Sequence, residues 1–131
     1  MSGVKELELL LGSMKPRLLE QEFVFCSQQG ELSDYLSLKP LASFAETEGL
    51  TLILEKQQAL LANLHFDGSF KQITLTVHSN LEAVGLTAAV ATKLAEREIS
   101  ANVVAAFYHD HIFVPAHQAE IALSTLQEFS D

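Results

Sequence analysis

The chain is poor in cysteine, in basic residues and in long apolar runs, and each shortage excludes something. Its single cysteine, Cys26, has no partner for an internal disulfide, so no disulfide framework holds this fold. Cys26 stands in the apolar run Phe23-Val-Phe-Cys26 with no basic neighbour, the setting of a small buried residue, not a reactive thiol. Lys and Arg total 8 against 17 Asp and Glu, for a formal net charge of −9. A surface of that sign repels phosphate backbones and anionic lipid, so neither nucleic acid nor membrane is an expected partner. The first residues, Met-Ser-Gly-Val-Lys-Glu, lead into acidic residues and a short apolar run. That is neither a secretory signal nor a spanning segment, and the expected address is the cytoplasm. No P-loop, Rossmann fingerprint, nucleophile elbow or H-E-x-x-H sequence occurs.

What is present is a chain of 131 residues, 48% apolar, enough for one compact domain or two small fused units. Val4, Leu7, Leu10, Leu11 and Met14 recur at helical spacing until Pro16. Glu22–Ser27 reads as a strand and Gln28–Ser37 as a loop. Leu38–Glu48 is ambiguous, with a short helix expected after Pro40. Leu50–Leu54 reads as a strand and Gln57–Leu64 as a helix. The Asp67-Gly68 region marks a boundary, giving expected units at 1–66 and 67–131.

The second half is clearer. Ile73, Leu75 and Val77 alternate with Thr74, Thr76 and His78, as in a half-buried strand. Leu81–Glu98 is expected to be one helix, with Ser79 and Glu82 as a capping box and Leu86, Val90 and Leu94 along one face. Asn102–Tyr108 and His111–Pro115 read as strands. Ala119, Ala122, Leu123 and Leu126 form the stripe of a last helix. This order is the βαββα part of a ferredoxin-like α+β fold without its fourth strand. The first half echoes it in shortened form, so two related units in tandem are expected. A strand from the first half, or a partner's edge, would complete the second sheet.

Two polar clusters carry the chemistry: His78-Ser79-Asn80 through Gly85, and Tyr108-His109-Asp110-His111. In a split βαβ, the end of strand one and the turn joining strands two and three share one sheet edge. The clusters are therefore expected to meet at a helix N-terminus, which favours an anionic group. Gly85 is read either as room for a ligand or as tight helix–sheet packing. With His109-Asp110 as a two-residue turn, Tyr108 would oppose His111 and Phe107 would oppose Ile112. His78, His109 and His111 also raise the alternative of a metal-dependent enzyme. A third reading is an interaction domain with no ligand.

These residues carry a resemblance. Phe70–Asp131 resembles an ACT domain, through Ile73-Thr-Leu-Thr-Val-His-Ser-Asn, Leu81-Glu-Ala-Val-Gly-Leu-Thr-Ala and Tyr108-His-Asp-His-Ile-Phe-Val-Pro. The likeness extends into the first half through Phe23-Val-Phe and Glu48-Gly-Leu-Thr-Leu, as in small bacterial proteins with two ACT-like units and no established reaction. It is similar to the serine-sensing type of ACT domain, in which a His and an Asn two apart and a following glycine line one side of an amino-acid site. The matching positions are His78, Asn80 and Gly85, while Asn102 matches an asparagine that serves the neighbouring domain's site. Two additional residues separate Asn80 from Gly85, and Val84 stands where that type has proline. The resemblance implies a non-enzymatic regulatory module without cofactor, binding an amino acid or similar zwitterion. Together with the turn residues that topology brings beside them, the expected site comprises His78, Ser79, Asn80, Ala83, Val84, Gly85, Asn102, His109, Asp110 and His111. It also implies ACT–ACT pairing, within the chain or in a homodimer, and a separate regulated protein.

Overall fold

The computed structural model describes residues 2–76 and 85–130, with side chains described from Glu6 onward. The elements are α1 (Ser2–Ser13), β1 (Pro16–Gln28), β2 (Ala42–Ala45), β3 (Leu50–Glu55), α2 (Lys56–Leu61), β4 (Phe70–Leu75), α3 (Leu86–Ala95), β5 (Asn102–Ala105), β6 (Asp110–Pro115) and α4 (Ala119–Gln127). They divide into two compact units. One comprises Met1–Glu20 with Lys71–Asp131, and the other Gln21–Phe70.

In the larger unit the strand order is β1-β4-β6-β5. The start of β1 thus fills the fourth-strand position that the C-terminal segment lacks. Ile73 and Leu75 of β4, Leu86, Val90 and Leu94 of α3, Ile112 and Val114 of β6, and Ala119, Ala122 and Leu126 of α4 form one core. α1 closes it, with Met14 buried and Leu7, Leu10 and Leu11 packed on the same cluster. The helical stripes expected from the sequence supply this core, with one exchange. Leu123 is only half-buried, whereas Thr125 is fully buried. Thr125 tolerates burial because its hydroxyl donates to the Ile121 carbonyl (2.7 Å) and accepts from Arg97 Nη1 (3.0 Å).

The expected continuous helix Leu81–Glu98 is interrupted at Gly85, whose φ of 104° and ψ of −29° are not helical, and the described helix α3 ends at Ala95. Leu81–Val84 and the Ser79–Glu82 capping box lie outside the described residues. At the other end Glu98 turns left-handed (φ 58°), and the Ile99 N–H reaches back to the Leu94 carbonyl at 3.0 Å. This is a Schellman closure with glutamate where glycine is usual, held by burial of Ile99.

The β5–β6 hairpin pairs Asn102 with Phe113, Val103 with Ile112, Val104 with His111 and Ala105 with Asp110. The expected two-residue turn is therefore corrected to a four-residue one, Ala106–His109, closed by Ala106 N–H to His109 O at 3.1 Å. Val104, not Tyr108, lies opposite His111. A tight primed turn needs positive φ at its centre, which His-Asp resists. The longer turn uses no positive φ at any of its residues. Phe107 and Tyr108 sit on it, exposed and edge-to-face at 5.0 Å.

The smaller unit has the order β2-β3-β1, all antiparallel. Where a full unit has its first helix, this one has a seven-residue 3-10 segment, Leu32–Leu38. Glu31 N–H donates to Asp34 Oδ2 (2.9 Å) at its start, and Lys39 at φ 53° ends it. The short helix expected after Pro40 is instead strand β2. Ala42–Ala45 pairs residue by residue with Ile53–Leu50 of β3, and this ladder outweighs the weak helix preference of four residues. Val24, Cys26, Leu52, Leu54 and Ala59 make the unit's own core.

Candidate functional site

Strand β4 presents Ile73 and Leu75 to the helices and, by alternation, Gln72 and Thr74 to the other side. β6 does the same with Ile112 and Val114 against His111. His111 Nδ1 lies 3.0 Å from Gln72 Nε2 and 3.0 Å from Thr74 Oγ1. These contacts place the beginning of β6 beside the end of β4, the end from which the chain enters the His78–Gly85 segment. His109 follows on the turn, its ring centroid 6.4 Å from that of His111 and nearly perpendicular to it. Asp110 between them is buried.

Burial holds the His111 imidazole below the usual histidine range. His109 pushes it the same way, and Asp110 opposes both. The ring is therefore neutral at neutral pH.

His109, Asp110 and His111 thus share one corner of the larger unit. Asn102 does not join them. It lies at the far end of the hairpin, exposed, with Nδ2 donating to the Phe113 carbonyl at 3.3 Å. His78, Ser79, Asn80, Ala83 and Val84 lie outside the described residues. Among the described residues no group of three or more His, Cys, Asp or Glu is arranged to hold a metal ion. No helix among them is long and apolar enough to cross a membrane.

Gly85 opens α3, and the Ala89 N–H bonds to its carbonyl at 2.8 Å. A Cβ added there would stand 3.1 Å from Leu7 Cδ2. What approaches Gly85 closely in this structure is the side chain of Leu7 from α1, a helix–helix contact and not the helix–sheet packing read from the sequence. An open groove continues from this point along Ala88, Ala89 and Thr92 to Phe129.

Sequence reasoning missed Gln72 and, as a contact of His111, Thr74. The signal was present, because period-two alternation already put Gln72 on the face of Thr74.

Residues 2–71 and 69–128 each match the ACT domain family, and the chain belongs to that family as a tandem pair of ACT domains. A crystal structure from Vibrio cholerae, of a protein of unknown function described as a possible transport protein, is 60% identical. It superimposes with a TM-score of 0.92 over 98% of this chain and 99% of the other. The regulatory subunit of aspartate kinase from Thermus thermophilus shares the fold at 10% identity, with a TM-score of 0.66 over 92% of this chain and 99% of that one. Aspartate kinase from Clostridium acetobutylicum does so at 8% identity and a TM-score of 0.69, over 92% of this chain and 35% of the enzyme. No curated protein sequence matches the chain.

Proposed function

We propose that this protein is a non-enzymatic regulatory module that binds an amino acid or a similar small zwitterion. The observation that carries the proposal is the tandem ACT pair, in a fold shared with the regulatory subunit of an amino-acid kinase. The two repeats are read as 1–66 and 67–131. The ligand carboxylate meets the start of α3, where N–H groups of the first helical turn lack intrahelical partners and the helix dipole adds positive potential. His78, Ser79, Asn80, Ala83, Val84 and Gly85 form the loop that holds it. His109, Asp110 and His111 form the adjacent wall, and Asn102 serves the site of a neighbouring ACT unit. Binding stiffens an ACT–ACT interface, within the chain or in a homodimer, and the signal passes to a separate cytoplasmic partner.

A thermal-shift screen with the common amino acids tests this. A ligand at 100 times its Kd adds about 2.7 kcal/mol of stability. Asn80→Ala should abolish the shift produced by the responding amino acid. A flat response to every amino acid sinks the proposal, and a shift unchanged in Asn80→Ala moves the site elsewhere.

A further inference from the structure

Gln72 is buried to 6% exposure, yet only one end of its amide is satisfied. Nε2 donates to Thr74 Oγ1 at 2.9 Å and lies 3.0 Å from His111 Nδ1. Two donors cannot face each other, so Nδ1 must be the acceptor and the neutral ring carries its proton on Nε2. The Thr74 hydroxyl, 3.0 Å from the same Nδ1, donates to it as well. Gln72 Oε1 is buried and has no hydrogen-bond partner among the described residues. Turning the amide over would bury an NH₂ group without acceptors in its place, and an orphaned donor pair costs more than one orphaned carbonyl. The observed orientation is thus the better one while the ring is neutral.

A proton on Nδ1 reverses this preference. The ring would then point N–H at the Gln72 N–H, while the idle Oε1 is the acceptor it needs. We propose that Gln72, Thr74 and His111 form a protonation latch between β4 and β6, in which proton uptake at His111 Nδ1 turns the Gln72 amide over. The proton comes from solvent and no other bond changes. The turned amide satisfies the cation but leaves its own NH₂ group buried, so the latched start of β6 loosens. That segment carries Asp110 and His111 and adjoins His109 on the turn, and the latch makes its order depend on pH. Among the described residues, the titratable groups acting on the ring are His109, which opposes the added proton, and Asp110, which favours it. β4 faces the ring with the uncharged Gln72 and Thr74, and β5 sets Val104 opposite it. The latch stands independently of amino-acid binding.

Side-chain NMR on the whole protein tests it. At neutral pH the His111 ¹⁵N shifts should report the Nε2–H tautomer. On acidification the Gln72 side-chain NH₂ resonances should move with the same midpoint as His111. Backbone exchange at His111 and Ile112, corrected for its intrinsic pH dependence, should quicken roughly tenfold across that midpoint, the scale of one lost buried hydrogen bond. In His111→Gln, which cannot titrate there, both responses should vanish. A neutral Nδ1–H tautomer, Gln72 resonances indifferent to the His111 titration, or responses that persist in His111→Gln would each overturn the latch.

Discussion

Gly85→Ala tests whether this glycine serves packing or a ligand, and its cost can be worked out in parts. At φ 104° an L-residue lies in a region it seldom adopts, which costs about 1–2 kcal/mol. The new methyl would also stand 3.1 Å from Leu7 Cδ2. Leu7, a half-buried side chain, must give by a few tenths of an ångström, and an off-rotamer shift of that kind costs about 0.5–1.5 kcal/mol. Urea unfolding should therefore show a loss of about 2–3 kcal/mol, and Tm should fall by roughly 10 °C. The two parts separate in a double-mutant cycle. On a Leu7→Ala background the steric part disappears and the backbone part stays, so Gly85→Ala should then cost about 1–2 kcal/mol, with a coupling of about 0.5–1.5 kcal/mol. A Gly85→Ala variant within about 0.5 kcal/mol of the parent would refute both the left-handed backbone and the Leu7 contact. If that unperturbed variant also lost its response to an amino acid, the glycine would be there for the ligand.

Other changes probe the core and the charged surface of the larger unit. Leu94 is fully buried in the main cluster, so Leu94→Ala should lose about 2–5 kcal/mol in urea unfolding; a loss below 1 kcal/mol would show that α3 does not pack as described. Arg97 grips Glu128 with two hydrogen bonds of 2.7 and 2.8 Å, and these bonds hold the Glu128 carboxyl below the usual glutamate range, with Lys93 at 3.4 Å assisting. A depressed carboxyl adds stability above its ordinary pKa and loses it as pH falls through the folded value. Glu128→Gln should accordingly be less stable than the parent at neutral pH, by a margin that shrinks with salt and vanishes in strong acid; an equal margin at pH 7 and pH 2 would refute the pairing.

How much of this fold is legible in the sequence depends on where each element draws its stability. The stripes Leu86-Val90-Leu94 and Ala119-Ala122-Leu126 fix two helices because a 3.6-residue period on one face is sufficient to bury them. β2 is not legible, because Ala42–Ala45 has no pattern of its own and is a strand only through its ladder with β3. The start of α3 is not legible either, because the apolar period runs through Gly85 without a break, while the backbone turns left-handed there. The four-residue turn at Ala106–His109 is concealed for the opposite reason. His109-Asp110 resembles a tight turn in polarity but lacks the glycine that would let it close as one.

The site is legible in part, and the reason lies in the difference between a motif and a face. Histidines and an aspartate on a strand-to-strand turn draw attention as a motif, and topology alone then brings His109, Asp110 and His111 to the end of β4. Gln72 belongs to no motif. Its role follows from three facts that only combine in space: it shares a face with Thr74, β6 lies next to β4, and the four-residue turn sets His111 against that face. A register shifted by one residue would turn His111 into the hydrophobic core and Ile112 onto the polar face. The polar triad, with Gln72 buried and Thr74 and His111 half-buried, therefore also reports the register: Ile112 and Val114 can enter the core only if His111 meets Gln72 and Thr74. Exchanging His111 for a leucine would remove that penalty for slippage, whereas glutamine, which can still bond Thr74, would keep it.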